Sequence, residues 1–314
     1  MAPRLGFGLP LSGSWATPER MRYVARRAED LGYDALWTFQ RLLHPATGDW
    51  GPMYRSVQDP IVSLAYAAAV TERIRLGLAI VNVPFYAPIV LAKQLTTLDA
   101  VSAGRLDVGL GLGWAREEFA AAGVPFERRG ARAEEFLRCL RAVWVDEVVR
   151  FDGDFYHVPP ARVEPKPAQR PHPPLLLGGS SQPALRRAGR VADGWISSSR
   201  QDLTSITESI EVVREAAREA GRDPAALRFV VRGVVRLDPE PGAREPGESD
   251  RRPLTGTADQ IRADLDDLAR RGVTEVFLDL NFDPRVGSPD ADPVQSLRLA
   301  DEVLDTFTPA GSAG

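Results

Sequence analysis

Residues 73–118 read RIRLGLAIVNVPFYAPIVLAKQLTTLDAVSAGRLDVGLGLGWAREE and carry the clearest folding signal in the chain. Residues 73–82 form an apolar, β-branched run with turn residues on both sides, which predicts a strand buried on both faces. Prolines end this run, and the apolar positions that follow have helical spacing from Pro88 to 101. A second strand at 106–110 then runs into glycines. Two parallel strands joined by a helix, with glycines at the second strand's carboxyl end, indicate a ligand site at the top of a parallel sheet.

The rest of the chain repeats this alternation of strands and helices. Strands are predicted at 4–9, 35–39, 73–82, 106–110, 175–177, 194–198, 229–237 and 275–280. Helices are predicted at 17–31, 59–71, 88–101, 114–121, 129–144, 183–191, 206–220, 257–271 and 293–307. These eight units in 314 residues match a (β/α)8 TIM barrel with insertions, and a doubly wound sheet is the less favoured alternative. In a barrel the glycine-rich strand ends all lie on one rim, where the chemistry takes place.

The segment 150–174 departs from this alternation. A small hairpin is predicted at 151–156, and the proline-dense, basic tract that follows is predicted to be extended. We interpret the segment as an insertion on the barrel surface, because the alternation resumes directly after it. A loop rich in Pro, Gly and charge at 238–253 and a frayed tail at 310–314 complete a single predicted domain over residues 1–314.

Composition narrows the class of function. Apolar residues make up 44% of the chain, enough for a large core, and the net charge is −4, with 39 basic and 43 acidic residues interspersed. This balance gives no support for a nucleic-acid surface. The single cysteine, Cys139, excludes an internal disulfide framework. There is no apolar run of membrane length and no signal-peptide pattern, so the sequence predicts a cytoplasmic protein whose partner is a small molecule.

Several kinds of active site are missing from the sequence. His44, His157 and His172 have no metal-ligand spacing, no Gly-x-Ser-x-Gly elbow is present, and the strand ends lack the paired carboxylates of a glycosidase. The strand ends carry Gly, Ser, Asn and aromatic residues instead, which suit a flat, conjugated ligand with a phosphate. The run GGSS at 178–181 precedes a predicted helix, so its N–H groups and the helix dipole favour an anion. An ordinary turn is the open alternative.

Six motifs resemble the bacterial luciferase-like monooxygenase superfamily, in its branch of F420-dependent oxidoreductases. They are LGYDALW (31–37), the segment 73–99, SAGRLDVGLGLGW (102–114), GVPFERRGAR (123–132), RPHPPLLLGGSS (170–181) and ADGWI (192–196). The resemblance implies an oxidoreductase with a flavin or deazaflavin cofactor. The motifs are specific for the superfamily and much less specific for the substrate or the flavin.

The resemblance also implies a cofactor site. Superfamily members carry a bulge at the end of the third strand, often with a non-proline cis peptide, which presses on the face of the flavin ring. Here the bulge falls at Ala79-Ile80, with an ordinary strand end as the alternative. The ring is expected over Gly111 and Gly113, where a side chain would collide, and the phosphate on the GGSS turn. The full expected cofactor-binding set is Gln40, Ala79, Ile80, Asn82, Gly111, Gly113, Gly178, Gly179, Ser180 and Ser181.

The residues after the second strand depart from the pattern of this branch. Many F420 enzymes have Asp-His there, and this chain has Gln40-Arg41. Gln40 can still hydrogen-bond ring heteroatoms, whereas Arg41 cannot act as a general base because a guanidinium stays protonated. Arg41 is expected to hold a substrate carboxylate or enolate or to stabilise a reduced, anionic ring, and an ion pair on the rim is the plainer interpretation. The proton then comes from water or from another rim residue such as Tyr54, which completes the predicted catalytic set.

Trp114 is the second departure, because F420-dependent glucose-6-phosphate dehydrogenases have a Glu at this position. Sugar oxidation by the usual acid–base pair is therefore not expected. Trp114 is predicted to line an apolar substrate pocket, with Phe39, Trp50 and Tyr54 as further candidates. Each of these aromatic residues could equally belong to the core.

The choice of cofactor depends on Leu112. Bacterial luciferase uses an Arg at the matching position to bind the FMN phosphate, so Leu112 favours F420. The expected reaction is hydride transfer to or from a small organic substrate, as in a reductase of an activated C=C, C=N or C=O bond. The alternatives are an FMN-dependent monooxygenase and a catalytically silent flavin-binding homologue. The superfamily often pairs barrels through helices near the second and third strands, which implies a possible homodimer, with a monomer as the alternative.

Overall fold

The apolar segments of the chain pair in parallel and close into a barrel in the computed structural model, which describes residues 2–48, 50–238 and 251–309. In chain order the strands are β1 (Arg4–Gly8), β2 (Ala35–Thr38), β3 (Arg75–Leu78), β4 (Val81–Asn82), β5 (Leu106–Gly111), β6 (Val149–Asp152), β7 (His157–Ala161), β8 (Leu175–Gly178), β9 (Gly194–Ile196), β10 (Arg228–Val234), β11 (Arg236–Leu237), β12 (Thr255–Gly256) and β13 (Glu275–Asp279). The large sheet runs β3-β2-β1-β13-β10-β9-β8-β5-β4. Pairing of Leu76 with Leu106 joins β3 to β5 and closes the ring. With β3 and β4 as one interrupted strand, this confirms the predicted (β/α)8 barrel.

Helices surround the barrel, and several of them begin at a residue whose side chain caps the first turn. They are α1 (Pro18–Asp30), α2 (Pro60–Ala68), α3 (Pro88–Val101), α4 (Arg116–Ala121), α5 (Arg129–Val145), α6 (Gln182–Val191), α7 (Ile206–Glu219), α8 (Ala258–Arg270), α9 (Pro284–Gly287) and α10 (Pro293–Thr306). The side chain of Thr17 accepts a hydrogen bond from the first turn of α1, and Asp59 does the same for α2. Thr257 and Gln260 form a reciprocal capping box at α8. These side chains satisfy N–H groups that have no partner within the helix.

Side chains alternate between the barrel interior and the layer beneath the helices. Inside, the rings of Trp37 and Phe277 stack with their centres 5.3 Å apart. Ala35, Ala79, Leu176, Ile196 and Val230 fill the space around them. The opposite faces of the same strands, with residues such as Leu36 and Leu76, pack under the helices. Because both faces are buried, these strands have unbroken apolar sequences.

Charged side chains close the amino-terminal end of the barrel. Arg75 and Arg228 donate hydrogen bonds to the Asp107 carboxylate at 2.6 and 2.7 Å. Arg228 also donates to Glu275 at 2.9 Å, and the other oxygen of Glu275 accepts from Trp37 Nε1 at 2.9 Å. Burial raises the pKa of Asp107, but the two guanidinium groups outweigh it and hold that pKa below its usual value. This ion-pair network fixes the end of the barrel opposite to the predicted site.

Arg105, the last residue of the SAGR segment (102–105), links the ends of two helices. Its guanidinium is buried and donates to the carbonyl oxygens of Ser102, Ala68, Thr71 and Ile74 and to the Thr71 hydroxyl. These acceptors lie at the carboxyl ends of α2 and α3 and in the chain that leads into β3. One cation therefore satisfies the last carbonyl groups of two neighbouring helices.

Three predicted elements differ from the structure. The third strand stops at Leu78 and restarts at Val81, because the chain bulges between them. The second helix ends at Ala68 and not at 71. The seventh strand leaves the barrel after Val234, and Arg236–Leu237 pairs with β12 instead.

The predicted insertion contains a hairpin that is longer than expected. β6 and β7 pair antiparallel, and the turn between them occupies part of the segment that was predicted to be the whole hairpin. The buried carboxylate of Glu135 accepts from the backbone N–H groups of Asp154, Phe155 and Tyr156, which fixes this turn on α5. The predicted tail and most of the loop predicted at 238–253 lie outside the described residues. In the described part of the chain, no helix has the length and apolar character needed to cross a membrane.

Candidate active site

A cavity of about 570 Å³ opens at the carboxyl ends of the barrel strands, a size that suits a cofactor with a small substrate. All three predicted catalytic residues, Gln40, Arg41 and Tyr54, line it. The predicted cofactor-binding residues also line it, namely Gln40, Ala79, Ile80, Asn82, Gly111, Gly113, Gly178, Gly179, Ser180 and Ser181. Of the predicted substrate pocket, Phe39 and Trp114 line the cavity. Trp50 packs on this wall, with its ring centre 4.9 Å from that of Trp114.

The bulge between β3 and β4 forms the floor of the cavity. The peptide bond between Ala79 and Ile80 is cis, as the resemblance implied. The side chain of Ile80 fills the space beside two glycines, since a Cβ on Gly111 would lie 2.2 Å from Ile80 Cδ1 and one on Gly178 would lie 3.2 Å from Ile80 Cγ2. A side chain at Gly111 would thus collide with Ile80, and the expected position of the flavin ring over this glycine stays a prediction.

Gln40 holds this bulge in place. Its Oε1 accepts from the backbone N–H of Asn82 at 2.9 Å, and its Nε2 donates to the hydroxyl of Tyr86 at 2.7 Å. The side chain is buried although it lines the cavity. One N–H of the amide group is left for a ligand. Most of the hydrogen-bonding capacity predicted for the cofactor is therefore used within the protein.

The GGSS turn and the amino-terminal end of α6 form one end of the cavity. Gly179 has φ +127°, a region that favours glycine, and a Cβ there would lie 2.7 Å from Ala184 Cβ. Ser181 caps α6 without a side-chain hydrogen bond, Pro183 has no N–H group, and the N–H groups of Ala184 and Leu185 donate to the Ser181 carbonyl oxygen. Among the described residues, the N–H groups of Ser180, Ser181 and Gln182 have no hydrogen-bond partner. Arg129, at the start of α5, lines the same cavity. These N–H groups and the helix dipole suit a phosphate, and Arg129 adds a cation to the same cavity.

Arg41 lies in a wall made of aromatic rings. Its guanidinium carbon is 5.5 Å from the ring centre of Trp50, 5.0 Å from that of Tyr54 and 4.8 Å from that of Trp114. Behind it, Arg41 Nη1 is 3.4 Å from the Oε2 atom of Glu118, and the two side chains are 8% and 1% exposed. Burial lowers the pKa of Arg41, and Glu118 opposes this shift. The ion pair anticipated as the plainer interpretation is present, and Arg41 lines the cavity as well.

A second buried guanidinium, that of Arg232, was missed in the sequence. It donates a hydrogen bond to the carbonyl oxygen of Ala79, and its Nη1 is 3.7 Å from the Asp279 carboxylate. The rings of Phe39 and Phe282 lie 5.3 and 4.9 Å from its guanidinium carbon. Burial lowers the pKa of Arg232, and Asp279 opposes the shift. A single Arg in the apolar run FVVRGVV of β10 is a signal that could have identified it.

Residues 5–246 match the family model for luciferase-like monooxygenases. The chain belongs to this family. Its relatives include an uncharacterised protein of Mycobacterium tuberculosis, 40% identical over 64% of this chain and 74% of that protein. An F420-dependent glucose-6-phosphate dehydrogenase of Gordonia bronchialis is 32% identical, over 77% of this chain and 71% of that enzyme.

The names of further relatives mention either FMN or F420 as the cofactor. An FMNH2-dependent dimethylsulfone monooxygenase of Pseudomonas putida is 35% identical, over 60% of this chain and 52% of that enzyme. The fold also matches the solved structure of an F420-dependent secondary alcohol dehydrogenase, with a TM-score of 0.78 and 20% identity over 98% of this chain and 100% of that one. The family thus contains F420-dependent and FMN-dependent members.

The cavity of this luciferase-like chain also includes a loop that the sequence analysis did not single out. Residues 197–202 follow β9 and line the cavity. The guanidinium carbon of Arg200 lies 4.9 Å from the ring centre of Trp114, and in the described part of the chain no carboxylate forms an ion pair with it. The Asp202 carboxylate accepts from Thr204 instead. The sequence analysis placed the first two residues of this run, SSSRQD, in the strand predicted at 194–198, whereas β9 ends at Ile196. The position of the run at the carboxyl end of a strand was the available signal.

Proposed function

We propose that this luciferase-like protein is an F420-dependent oxidoreductase that reduces an activated C=C, C=N or C=O bond of a small organic substrate. The observation that carries the proposal is one cavity with a phosphate site at the GGSS turn and a guanidinium at Arg41. The F420-dependent relatives support this choice of cofactor, and so does the apolar side chain of Leu112 on the cavity wall.

The residues of the cavity fit such a cofactor. The bulge at Ala79-Ile80 offers a floor for a flat ring, and the backbone N–H groups of the GGSS turn, which lines the same cavity, suit a phosphate. When bound, reduced F420 supplies a hydride. The substrate would then lie between the ring and the aromatic wall of Phe39 and Trp114, which excludes water from the reacting atoms.

Arg41 stabilises the negative charge that forms on the substrate. Its guanidinium is held in one place by three rings and by Glu118, so it needs no rearrangement when charge develops. Fixed donors at such a position contribute strongly because the site is shielded from water. We expect Arg41→Ala to slow single-turnover hydride transfer by roughly one hundredfold or more. Arg41→Lys should recover part of the rate, because it keeps the charge and loses the forked geometry.

A titration of the purified protein with F420 and with FMN tests the cofactor. Quenching of cofactor fluorescence reports binding, and we expect a lower dissociation constant for F420. FMN binding that is equal to or tighter than F420 binding would refute the choice of cofactor. Binding of F420 without reduction of any activated acceptor would support the catalytically silent alternative.

An FMN-dependent monooxygenase is the second candidate. It is favoured by the Pseudomonas putida relative and by Arg129, which gives the cavity a cation that could bind the FMN phosphate in place of the Arg that Leu112 replaces. Oxygen uptake with reduced FMN distinguishes the two functions, because hydride transfer from F420 consumes no oxygen. We expect no substrate-dependent oxygen uptake.

A further inference from the structure

Among the residues that the structure describes, the hydroxyl group of Tyr54 has no hydrogen-bond partner. It ends the short 3-10 turn Pro52–Tyr54 and lines the cavity, although the residue is only 8% exposed. Among the described residues, no group forms a hydrogen bond with this hydroxyl, whereas the hydroxyl of Tyr86, nearby, is bonded to Gln40. Nearly all polar groups in such confined places have a partner. The hydroxyl of Tyr54 is therefore available to a ligand in the cavity.

The ring of Tyr54 is fixed from several sides. It packs edge-on against Phe282, with ring centres 5.6 Å apart, and shares an apolar cluster with Leu11 and Phe39. Just past the turn, the backbone of Val57 pairs with that of Ser12. A side chain on such a rigid support can present its hydroxyl at a constant position.

Two cations are close enough to stabilise a negative charge on Tyr54. Burial lowers the pKa of both Arg41 and Arg232, and a negatively charged Tyr54 would oppose both shifts. The Arg41 guanidinium carbon is 5.0 Å from the Tyr54 ring centre. The other charged groups around this turn are Glu118 behind Arg41, Asp279 behind Arg232, Arg55 with Asp290 directly after the turn, and Arg285 with Asp283 at α9. Arg129, Arg200 and Asp202 also line the cavity, and the guanidinium groups of Arg41 and Arg232 are the buried charges among its lining residues.

We propose that Tyr54 is the proton donor of the reduction, an inference that rests on the proposed function. On a conjugated carbonyl compound, hydride forms a C–H bond at the β carbon, and the π electrons move toward the carbonyl oxygen beside Arg41. The O–H bond of Tyr54 then breaks, and its proton forms the second C–H bond at the α carbon. The electron pair of that O–H bond stays on the Tyr54 oxygen, which regains a proton from water. In total the substrate gains one hydride, which carries two electrons, from reduced F420 and one proton from Tyr54.

The test uses 2-methylcyclohex-2-en-1-one as the probe, because protonation of its α carbon creates a stereocentre. Wild-type protein with reduced F420 should give 2-methylcyclohexanone with a clear enantiomeric excess. In Tyr54→Phe the ring and its packing remain, and the single-turnover rate should fall by roughly one hundred to ten thousandfold. Water then protonates the α carbon from either side, so the enantiomeric excess should disappear. Tyr23→Phe, which removes a surface hydroxyl bonded to Asp301, should change neither the single-turnover rate nor the enantiomeric excess.

The outcomes separate the two proposals. F420 affinity and thermal stability of Tyr54→Phe should match the wild type, and 3-fluorotyrosine at position 54 should move the alkaline limb of the pH–rate profile to lower pH. A Tyr54→Phe variant with the wild-type rate and enantiomeric excess would overturn the role of Tyr54 alone. Wild-type protein that binds reduced F420 and leaves the probe unreduced would overturn the proposed reduction, and the inference with it.

Discussion

The ion pair of Arg41 with Glu118 offers a direct test of how the cavity wall is built. The perturbation is a double-mutant cycle with Arg41→Leu, Glu118→Gln and the two combined. Leucine keeps an apolar side chain among the three rings, and glutamine keeps the shape of Glu118 without its charge. The hydrogen bond from the Leu42 N–H to Glu118 Oε1, at 2.7 Å, can persist in all four proteins.

The magnitude follows from the distance and the burial. Two unit charges at the observed 3.4 Å attract by about 5 kcal/mol at an effective dielectric constant of about 20. Desolvation of the guanidinium opposes this, as the lowered pKa of Arg41 shows. Arg41→Leu leaves a buried carboxylate unpaired and should lower the free energy of unfolding by about 3–5 kcal/mol. The double variant should recover part of that loss, with a coupling free energy of about 2–3 kcal/mol.

Urea denaturation of the four proteins measures the cycle, with equal m values as the sign that the transitions are comparable. The exposed pair of Arg162 with Glu147, which are 63% and 80% exposed, is the matched control and should couple by less than about 1 kcal/mol. If the pair of Arg41 with Glu118 couples no more strongly than this control, the two charges do not sense each other. Arg41 would then be an uncompensated cation, and the account of the cavity wall would be wrong.

Three further predictions concern other parts of the structure. Gly179→Asp should weaken cofactor binding by more than the tenfold that ~1.4 kcal/mol represents, measured by fluorescence titration, whereas Gly179→Ala isolates the steric part. Arg105→Met removes the donors to two helix ends and should lower the free energy of unfolding by about 3 kcal/mol or more, measured in urea. Val62→Asp on α2, where the valine is 69% exposed, should convert the expected homodimer to a monomer in light scattering, and Val148→Asp should not.

The elements that could be predicted depend on short-range signals. Apolar runs, prolines in the first turn of helices and glycines after helices indicate the strands and helices without reference to distant residues. The GGSS turn is such a local signal, since a strand, a glycine pair and a helix follow one another in the chain. Family resemblance supplied what local signals did not, namely the bulge at Ala79-Ile80, which no propensity would indicate.

The contacts that the sequence did not reveal form only when the barrel closes. Arg232 and Ala79 are 153 positions apart, and their hydrogen bond exists only because β10 and β3 face each other across the barrel interior. Glu118 could not be paired with Arg41 from sequence, since many acidic residues lie on helices and most of them face solvent. The role expected of Gln40 was incomplete for the same reason. Its amide group contacts Asn82, whose position depends on the bulge.

The two buried guanidinium groups that line the cavity each have a carboxylate behind them, Glu118 for Arg41 and Asp279 for Arg232. Such a pair presents its positive end to the cavity and adds little net charge, so it attracts a resting anion weakly. A negative charge that forms during the reaction sits close to the guanidinium and farther from the carboxylate, and it is stabilised. Interactions that strengthen only in the transition state raise the rate, whereas those that bind the substrate equally well do not. The arrangement therefore favours neutral substrates that become negatively charged as hydride adds, as conjugated carbonyl compounds do.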